Sequence, residues 1–264
     1  MSSKPHLLIC IPTYNCQNQL PRVLEELHKT CQSLSLPFEV AVLDNQSQDQ
    51  TITVARATAN SLGAKYRLRI YRNLKNEGLG GSQKIFLQLA KTQGAELTCV
   101  LHGDHQAAPS DLLTLLKLYQ EKQTHILGSR FDKRSSLNNY SVQRIWGNRL
   151  LNRLYSILLG MPISDLGSGL NLFIVSSLNL EKVKNFDPNF NFNMDLLLYL
   201  KTEKQPFQFA PIQWKSFDEI SNANAYRVGL RALWQVMSWK FNFKKRATHQ
   251  IGSTPELVYD NFYP

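Results

Sequence analysis

Apolar and polar positions alternate along the first half of the chain in a repeating order. A short apolar run is followed each time by an amphipathic stretch. His6–Ile11 is a near-continuous apolar run of strand length. Asn18 to Leu34 carries Val23, Leu24, Leu27, Cys31 and Leu34 at helical spacing, with Pro21 in the first turn. Phe38–Leu43 predicts a second strand and Thr51–Leu62 a second helix. Arg67–Tyr71 alternates like a half-buried strand, and Gly81–Thr92 predicts a helix with Ile85, Phe86 and Leu89 inward. Leu97–Leu101 reads as a buried strand. Ser110 reads as the cap of a Leu-rich helix reaching about Lys122, and His125–Gly128 returns as a strand. Strands separated by helices of this length predict βαβ units. The expected fold is therefore α/β, Rossmann-like, with a mostly parallel central sheet flanked by helices. Ligands of such sheets bind at the carboxyl ends of the strands.

The rhythm changes after Ser129. Ser135–Tyr140 reads as polar loop, and Val142–Leu159 as a helix interrupted by Gly160-Met-Pro162. Leu170–Val175 is strand-like, and Asn193–Lys204 is a short helix carrying Asp195. Phe207–Trp214 holds Pro211 and reads as an edge strand or loop. Ala225 to about Phe243 is a final helix with Leu230, Leu233, Trp234, Met237 and Phe241 in one stripe. The expected organisation is one domain over 6–220, then a C-terminal amphipathic basic helix and tail over 221–264.

Composition narrows the class. With 264 residues, 43% hydrophobic and 19% charged, the chain can bury a core without metal or disulfide staples. No apolar run approaches the roughly 18–20 residues that span a bilayer, and no signal peptide is visible. The four cysteines form no CxxC pair, which fits a reducing compartment. The expected location is cytoplasmic, with peripheral association at the inner face of the cytoplasmic membrane. The net charge of +10 favours an anionic partner. Ile220 to Pro255 contains no acid but holds Arg227, Arg231, Lys240, Lys244, Lys245 and Arg246. Beside the apolar stripe, that suits an anionic membrane surface; the alternative is a stripe packed onto the domain. A second cluster, Lys65, Arg67, Arg69, Arg72 and Lys75, reads as solvated surface. Nucleic acid is not expected, since basic strands with interleaved aromatics are missing.

Candidate chemistry collects at the strand ends. Strand one ends in Pro12-Thr-Tyr-Asn15, strand two in Asp44-Asn-Gln-Ser-Gln-Asp49, and strand four in His102-Gly-Asp-His-Gln106. Dinucleotide binding needs a Gly-rich turn after strand one, and Pro12-Thr-Tyr-Asn15 has none. No GxxxxGK[ST] loop exists. In an extended segment His102, Asp104 and Gln106 would project to one side and could converge on one ion. Mg²⁺ or Mn²⁺ held by few protein ligands and by phosphate fits such a set, and imidazole tilts it toward Mn²⁺. A polar loop is the alternative for the same residues.

Taken in order, these elements make the chain resemble the family-2 glycosyltransferases of GT-A fold, particularly dolichol- and polyprenyl-phosphate sugar synthases and their bacterial relatives. The resemblance rests on Pro12, Tyr14 and Asn15; on Asp44, Asn45, Ser47, Asp49 and Thr51; and on Asn76, Gly78, Gly80 and Gly81. It continues through His102, Asp104, Gln106 and Pro109, then Gly128-Ser-Arg130, then Asp165, Ser168 and Gly169. Three positions depart from it: His102 stands for an Asp, Asn45 for a second acid, and Leu170-Asn171 for a basic residue.

The resemblance implies an inverting, metal-dependent transfer from a nucleotide-diphosphate sugar to a polyprenyl phosphate or a cell-envelope glycan. It implies donor binding by Pro12, Tyr14, Asn15, Asp44, Asn45, Asn76, Gly78, Lys84 and Gly103. Asp104, Gln106 and His102 would hold Mg²⁺ or Mn²⁺, and Arg130 would clamp phosphate oxygens. An anionic phosphate acceptor needs no strong base, whereas a hydroxyl acceptor does. Asp195 is the candidate for that base, or else a first-turn Asp favoured by the helix dipole. The other readings are a catalytically impaired sugar-nucleotide-binding protein, and a metal-dependent phosphohydrolase built on His102-Gly-Asp-His105.

Overall fold

The computed structural model describes residues 7–63, 66–216, 225–241 and 255–260. The first half runs β1 (Leu7–Thr13), α1 (Leu20–Cys31), β2 (Phe38–Asp44), α2 (Thr51–Leu62), β3 (Arg67–Arg72), α3 (Gly78–Thr92), β4 (Leu97–Leu101), α4 (Asp111–Lys122) and β5 (His125–Ser129). Then follow β6 (Ser136–Asn138), α5 (Val142–Leu159), β7 (Leu170–Ile174), the short α6 (Leu180–Val183) and α7 (Phe192–Thr202). The remaining elements are β8 (Phe207–Pro211), β9 (Gln213–Lys215), α8 (Ala225–Lys240) and β10 (Glu256–Asp260). Eight strands form one sheet in the order β10-β3-β2-β1-β4-β7-β5-β8, while β6 and β9 pair separately. β1 is parallel to β2 and β4, β2 to β3, and β5 to β8; β7 and β10 run antiparallel to their neighbours.

Alternation along β1 builds both faces of the core. Leu7, Ile9 and Ile11 pack with Leu20, Val23, Leu24 and Leu27 of α1 and with Leu112 and Leu115 of α4. Leu8 and Cys10 face the other way, toward Ile85 and Phe86 of α3. On that same side Val100, Leu127 and Phe173 join Tyr155 of α5, Leu196 and Leu197 of α7 and Ala232 of α8. Strands buried on both faces explain the near-continuous apolar runs. All four cysteines are buried and unpaired, and burial raises the thiol pKa of Cys16 and Cys31 to about 12.

Three expectations change. Ser110 precedes α4 but has helical φ/ψ and makes no side-chain cap. The polar loop at 135–140 contains β6, which pairs in parallel with β9. The arginines of β3 are not a solvated face, because β10 lies antiparallel along that edge. Arg67 reaches Asp260 with its Nε 3.0 Å from Oδ1, and Arg69 pairs with Glu39 at 2.9 Å. The α8 stripe had two alternatives, one facing a membrane and one packed onto the domain. The buried residues of α8 include Ala232, Gln235 and Val236, whereas Leu230, Leu233, Trp234 and Phe241 of the expected stripe are exposed. Most of the stripe therefore faces outward, while Met237 packs against the core. Phe243 and Lys244-Lys-Arg246 lie outside the described residues, as does the expected boundary at 220–221.

Candidate active site

The carboxyl ends of β1, β2 and β4 lie side by side, and backbone pairing continues past them. Asn45 N donates to Thr13 O at 2.9 Å, and Gly103 N to Pro12 O at 3.1 Å. A Cβ on Gly103 would sit 2.5 Å from Thr13 Cγ2, so the two chain ends meet there without a side chain between them. The β1 loop is locked onto the β2 loop. Asn15 takes φ +52°, a conformation asparagine tolerates. Its N donates to Ser47 Oγ at 2.9 Å, and its Oδ1 accepts from Gln48 N at 2.9 Å. Gln17 N donates to Asp49 Oδ2 at 3.1 Å. Tyr14 stays half-buried between these ties.

Asp44 forms the floor of this region and is fully buried. Ser47 N lies 3.3 and 3.2 Å from its two oxygens, and Arg72 Nε 3.4 Å from Oδ2. Burial raises the Asp44 pKa above its usual value, while Ser47 and Arg72 oppose that shift. Arg72 is a site residue that sequence reasoning missed. Its one signal was a place at the end of a strand otherwise read as solvated.

Asn45 is tied to partners within the chain. Its Oδ1 accepts from Asn73 Nδ2 at 2.8 Å and Glu77 N at 2.9 Å, and its Nδ2 donates to Asn76 Oδ1 at 2.9 Å. Asn76 Oδ1 also accepts from Gly78 N at 2.9 Å. Gly78 has φ +75°, and a Cβ there would lie 2.3 Å from Pro188 O, so only glycine fits. Lys84 is buried, and its Nζ donates to Lys184 O at 3.0 Å and to Phe186 O. Burial lowers its pKa, while Asp187, Asp195 and Glu77 oppose the shift. Asn45, Gly78 and Lys84, expected to bind the donor, here frame the site. They hold the β2 and β3 loops and the 184–188 segment around α3.

The loop after β4 is a turn, not an extended segment. His105 takes φ +60°, and Gln106 N folds back onto Asp104 Oδ1 at 3.1 Å. The strict alternation expected of His102, Asp104 and Gln106 is therefore broken at His105. Gln106 Nε2 instead donates to Ser216 Oγ at 3.1 Å. His102 and Asp104 remain together. His102 Nε2 is buried with no hydrogen-bond partner. Burial, aided by Arg130, lowers the His102 pKa, and Asp104 opposes the shift. A neutral imidazole with an unmatched nitrogen beside a carboxylate fits a divalent cation completed by phosphate and water. Among the described residues no three His, Cys, Asp or Glu side chains gather into a metal-binding group. The phosphohydrolase reading lacks its further ligands there.

Arg130 is buried, and its fork is occupied. Nε donates to Asp165 Oδ2 at 2.8 Å and Nη2 to Asp165 Oδ1 at 2.7 Å, while the backbone N reaches Oδ2 at 2.8 Å. Trp214 covers the guanidinium at 5.1 Å. Burial works against its charge, but Asp165 outweighs it and raises the pKa. The expected phosphate clamp is instead one half of a buried ion pair. Asp195, in the first turn of α7, accepts from Asp187 N at 2.7 Å. Asp187 in turn pairs with Arg231 of α8 at 2.6 Å.

The model of glycosyl transferase family 2 matches residues 8–180 of the chain. Polyprenol monophosphomannose synthase of Mycolicibacterium smegmatis is 25% identical over 61% of this chain and 59% of its own length. Undecaprenyl-phosphate 4-deoxy-4-formamido-L-arabinose transferase of Serratia proteamaculans is 26% identical over 68% of this chain and 53% of its own. The chain thus spans little more than half the length of these relatives. Among solved structures, glucosyl-3-phosphoglycerate synthase from Mycobacterium tuberculosis, in complex with Mn²⁺, uridine-diphosphate and phosphoglyceric acid, superimposes with a TM-score of 0.64. The identity is 11%, over 89% of this chain and 78% of that one, so the likeness is one of fold: the GT-A arrangement.

Proposed function

The chain belongs to glycosyl transferase family 2, and on that premise we propose that it moves a sugar from a nucleoside-diphosphate sugar to a polyprenyl phosphate. The transfer is an inverting, single displacement at an anionic membrane surface, the inner face of the cytoplasmic membrane. The observation that carries the reading is the buried, unpartnered His102 Nε2 beside Asp104, at the end of the central strand β4. The Pro12–Asn15 loop, with the buried Asp44 as its floor, lies across from it and holds the nucleoside by directional hydrogen bonds. His102 and Asp104 would hold Mg²⁺ or Mn²⁺; when bound, the ion neutralises charge on a departing diphosphate.

Two further observations support the lipid acceptor. A phosphate acceptor is anionic near neutral pH and needs no strong base. Asp195 accordingly is free to serve the structure, holding Asp187 N at 2.7 Å. The exposed apolar residues of α8 stand on a helix that has no acid and carries Arg227, Arg231 and Lys240, which suits an anionic leaflet. No helix among the described residues is long and apolar enough to cross a membrane.

The test is a thermal-shift screen of UDP- and GDP-sugars with Mg²⁺ or Mn²⁺, followed by turnover. A donor at a hundredfold excess over its Kd stabilises the native state by about 2.7 kcal/mol. Asp104→Asn is expected to lower transfer about a hundredfold or more. Full turnover in that variant would refute the role given to Asp104, and NMR of the product anomer checks the inversion.

A further inference from the structure

A cleft of about 540 Å³ opens between α5 and the 161–164 segment, with Phe131 on a third side. Its polar lining is cationic. Arg149 and Arg153 stand one turn apart, both exposed, and neither makes an ion pair among the described residues. α5 carries no acid at all. Ser164, also in the lining, has a buried Oγ with no hydrogen-bond partner. Asn152 is 5% exposed and fixes that segment by donating its Nδ2 to Ser164 O at 2.7 Å. Ser156 also lines it, and the rest is apolar, chiefly Phe131, Ile157 and Met161.

Two features say what such a cleft takes. The first is its mouth. Ile157 continues an outward stripe on α5 formed by Val142, Trp146 and Leu150, each 67–70% exposed. Residues 142, 146, 150 and 157 fall on one side of a helix. Arg153 lies within that side and Arg149 at its edge, so charge and apolar surface meet at the cleft. The second is its back wall. Phe131 follows Arg130 and Ser164 precedes Asp165, the two members of the buried pair. Trp214 covers that pair and bridges Ala107, next after Gln106 in the loop beyond β4. The cleft therefore abuts the frame that carries His102 and Asp104.

We propose that this cleft seats the head of a phosphate monoester bearing an apolar chain. Arg149, Arg153 and the Ser164 hydroxyl bind the phosphate oxygens, and the chain leaves along Ile157 and the α5 stripe into the bilayer. Guanidinium pairs match phosphate oxygens in geometry and charge. The inference rests on the lipid-phosphate reading above and gives that acceptor its place.

Calorimetric titration of the full chain tests it with three probes: octyl phosphate, inorganic phosphate and octyl glucoside. Octyl phosphate is expected to bind, inorganic phosphate more weakly by about tenfold or more, and octyl glucoside not measurably. Arg149→Gln and Arg153→Gln should each weaken octyl phosphate about tenfold, and the double variant further. Ile157→Ser should weaken octyl phosphate but not inorganic phosphate. Urea midpoints should stay within error, because these side chains are exposed. Unchanged octyl phosphate binding in the double variant overturns the proposal. So does inorganic phosphate bound as tightly as octyl phosphate, which marks a free-anion site. A double variant that binds octyl phosphate normally but no longer co-sediments with vesicles of 30% phosphatidylglycerol also overturns it, leaving a bare docking surface. Donor-induced stabilisation, measured alongside, separates the two readings. If it is present while the arginine variants bind octyl phosphate normally, the cleft alone is wrong. If it is absent in the unmodified chain, the transferase reading fails whatever the cleft binds.

Discussion

Replacing Asp165 by asparagine should unfold the case for Arg130 as a free phosphate ligand or close it. The Asp165 carboxylate accepts Arg130 N and Nε at 2.8 Å each, Arg130 Nη2 at 2.7 Å and Gly167 N at 3.1 Å. Both of its oxygens thus receive two N–H groups. Asparagine can present one oxygen, and its amide would turn two more N–H bonds against donors. The guanidinium would stay buried under Trp214 with its counter-charge gone. Breaking a buried pair from one side costs about 3–5 kcal/mol. At about 2–4 °C per kcal/mol for a domain near this size, the melting temperature should fall by about 6–20 °C. Urea denaturation of Asp165→Asn, Arg130→Met and the double variant measures both the loss and the coupling. The double variant should lose less than the sum of the singles by about 1–3 kcal/mol, since removing both charges leaves none stranded. Asp165→Asn within about 1 kcal/mol of the parent would refute the buried-pair reading. So would an Arg130→Met protein of full stability that had lost only donor binding, which would restore the clamp.

The remaining predictions concern the frame of the site. His125 is buried, its Nδ1 accepts from Ile174 N at 3.2 Å, and burial lowers its pKa to about 4. The unfolded chain takes up that proton below about 6.5, so stability is full above that value and falls as pH drops toward 4, by about 3 kcal/mol in total. Urea midpoints from pH 7.5 to 4 for the parent and His125→Asn check this, and parallel curves would refute it. Gly80→Ala would set a Cβ 2.3 Å from Asp187 O, so a loss of about 1–3 kcal/mol by the same denaturation is expected. Asn45→Asp, which restores the residue type of the family pattern, puts an acceptor where Nδ2 now donates to Asn76 Oδ1 at 2.9 Å. It should cost about 1–3 kcal/mol at pH 7 and less at pH 4, where the acid can donate; a neutral or stabilising result would show that the asparagine knot adapts.

What the sequence could and could not disclose follows from the range of each interaction. The βαβ rhythm from Leu7 to Ser129 was legible because helix and strand periods are local, and α2 and α5 ran between the residues expected. Boundaries slipped where pairing with a neighbour extends an element. Pro12 and Thr13 belong to β1 because Leu43 and Asp44 lie opposite them in register. The start of α3 was read three residues late, because Gly78-Leu-Gly-Gly81 looks like a loop. Those glycines are there to let Pro188 and Asp187 approach, and only the fold reveals that packing. β10 went unread for the same reason in a stronger form. Glu256–Asp260 offers only a three-residue Leu-Val-Tyr run, too short to read as a strand alone, yet Asp260 answers Arg67 across the edge of the sheet. In the site, several of the expected residues are engaged by partners within the chain. Asp104, His102 and Asp44 stand at the strand ends, as the topology requires. Arg130 and Asp165 each sat in a separate element of the resemblance, and only Arg130 was read as a ligand contact. Nothing in the linear order says that two such residues satisfy each other first. A buried guanidinium without a carboxylate is so costly that the first question for any motif arginine is which acid in the same chain it meets. Here the acid was quoted beside it, 35 positions along.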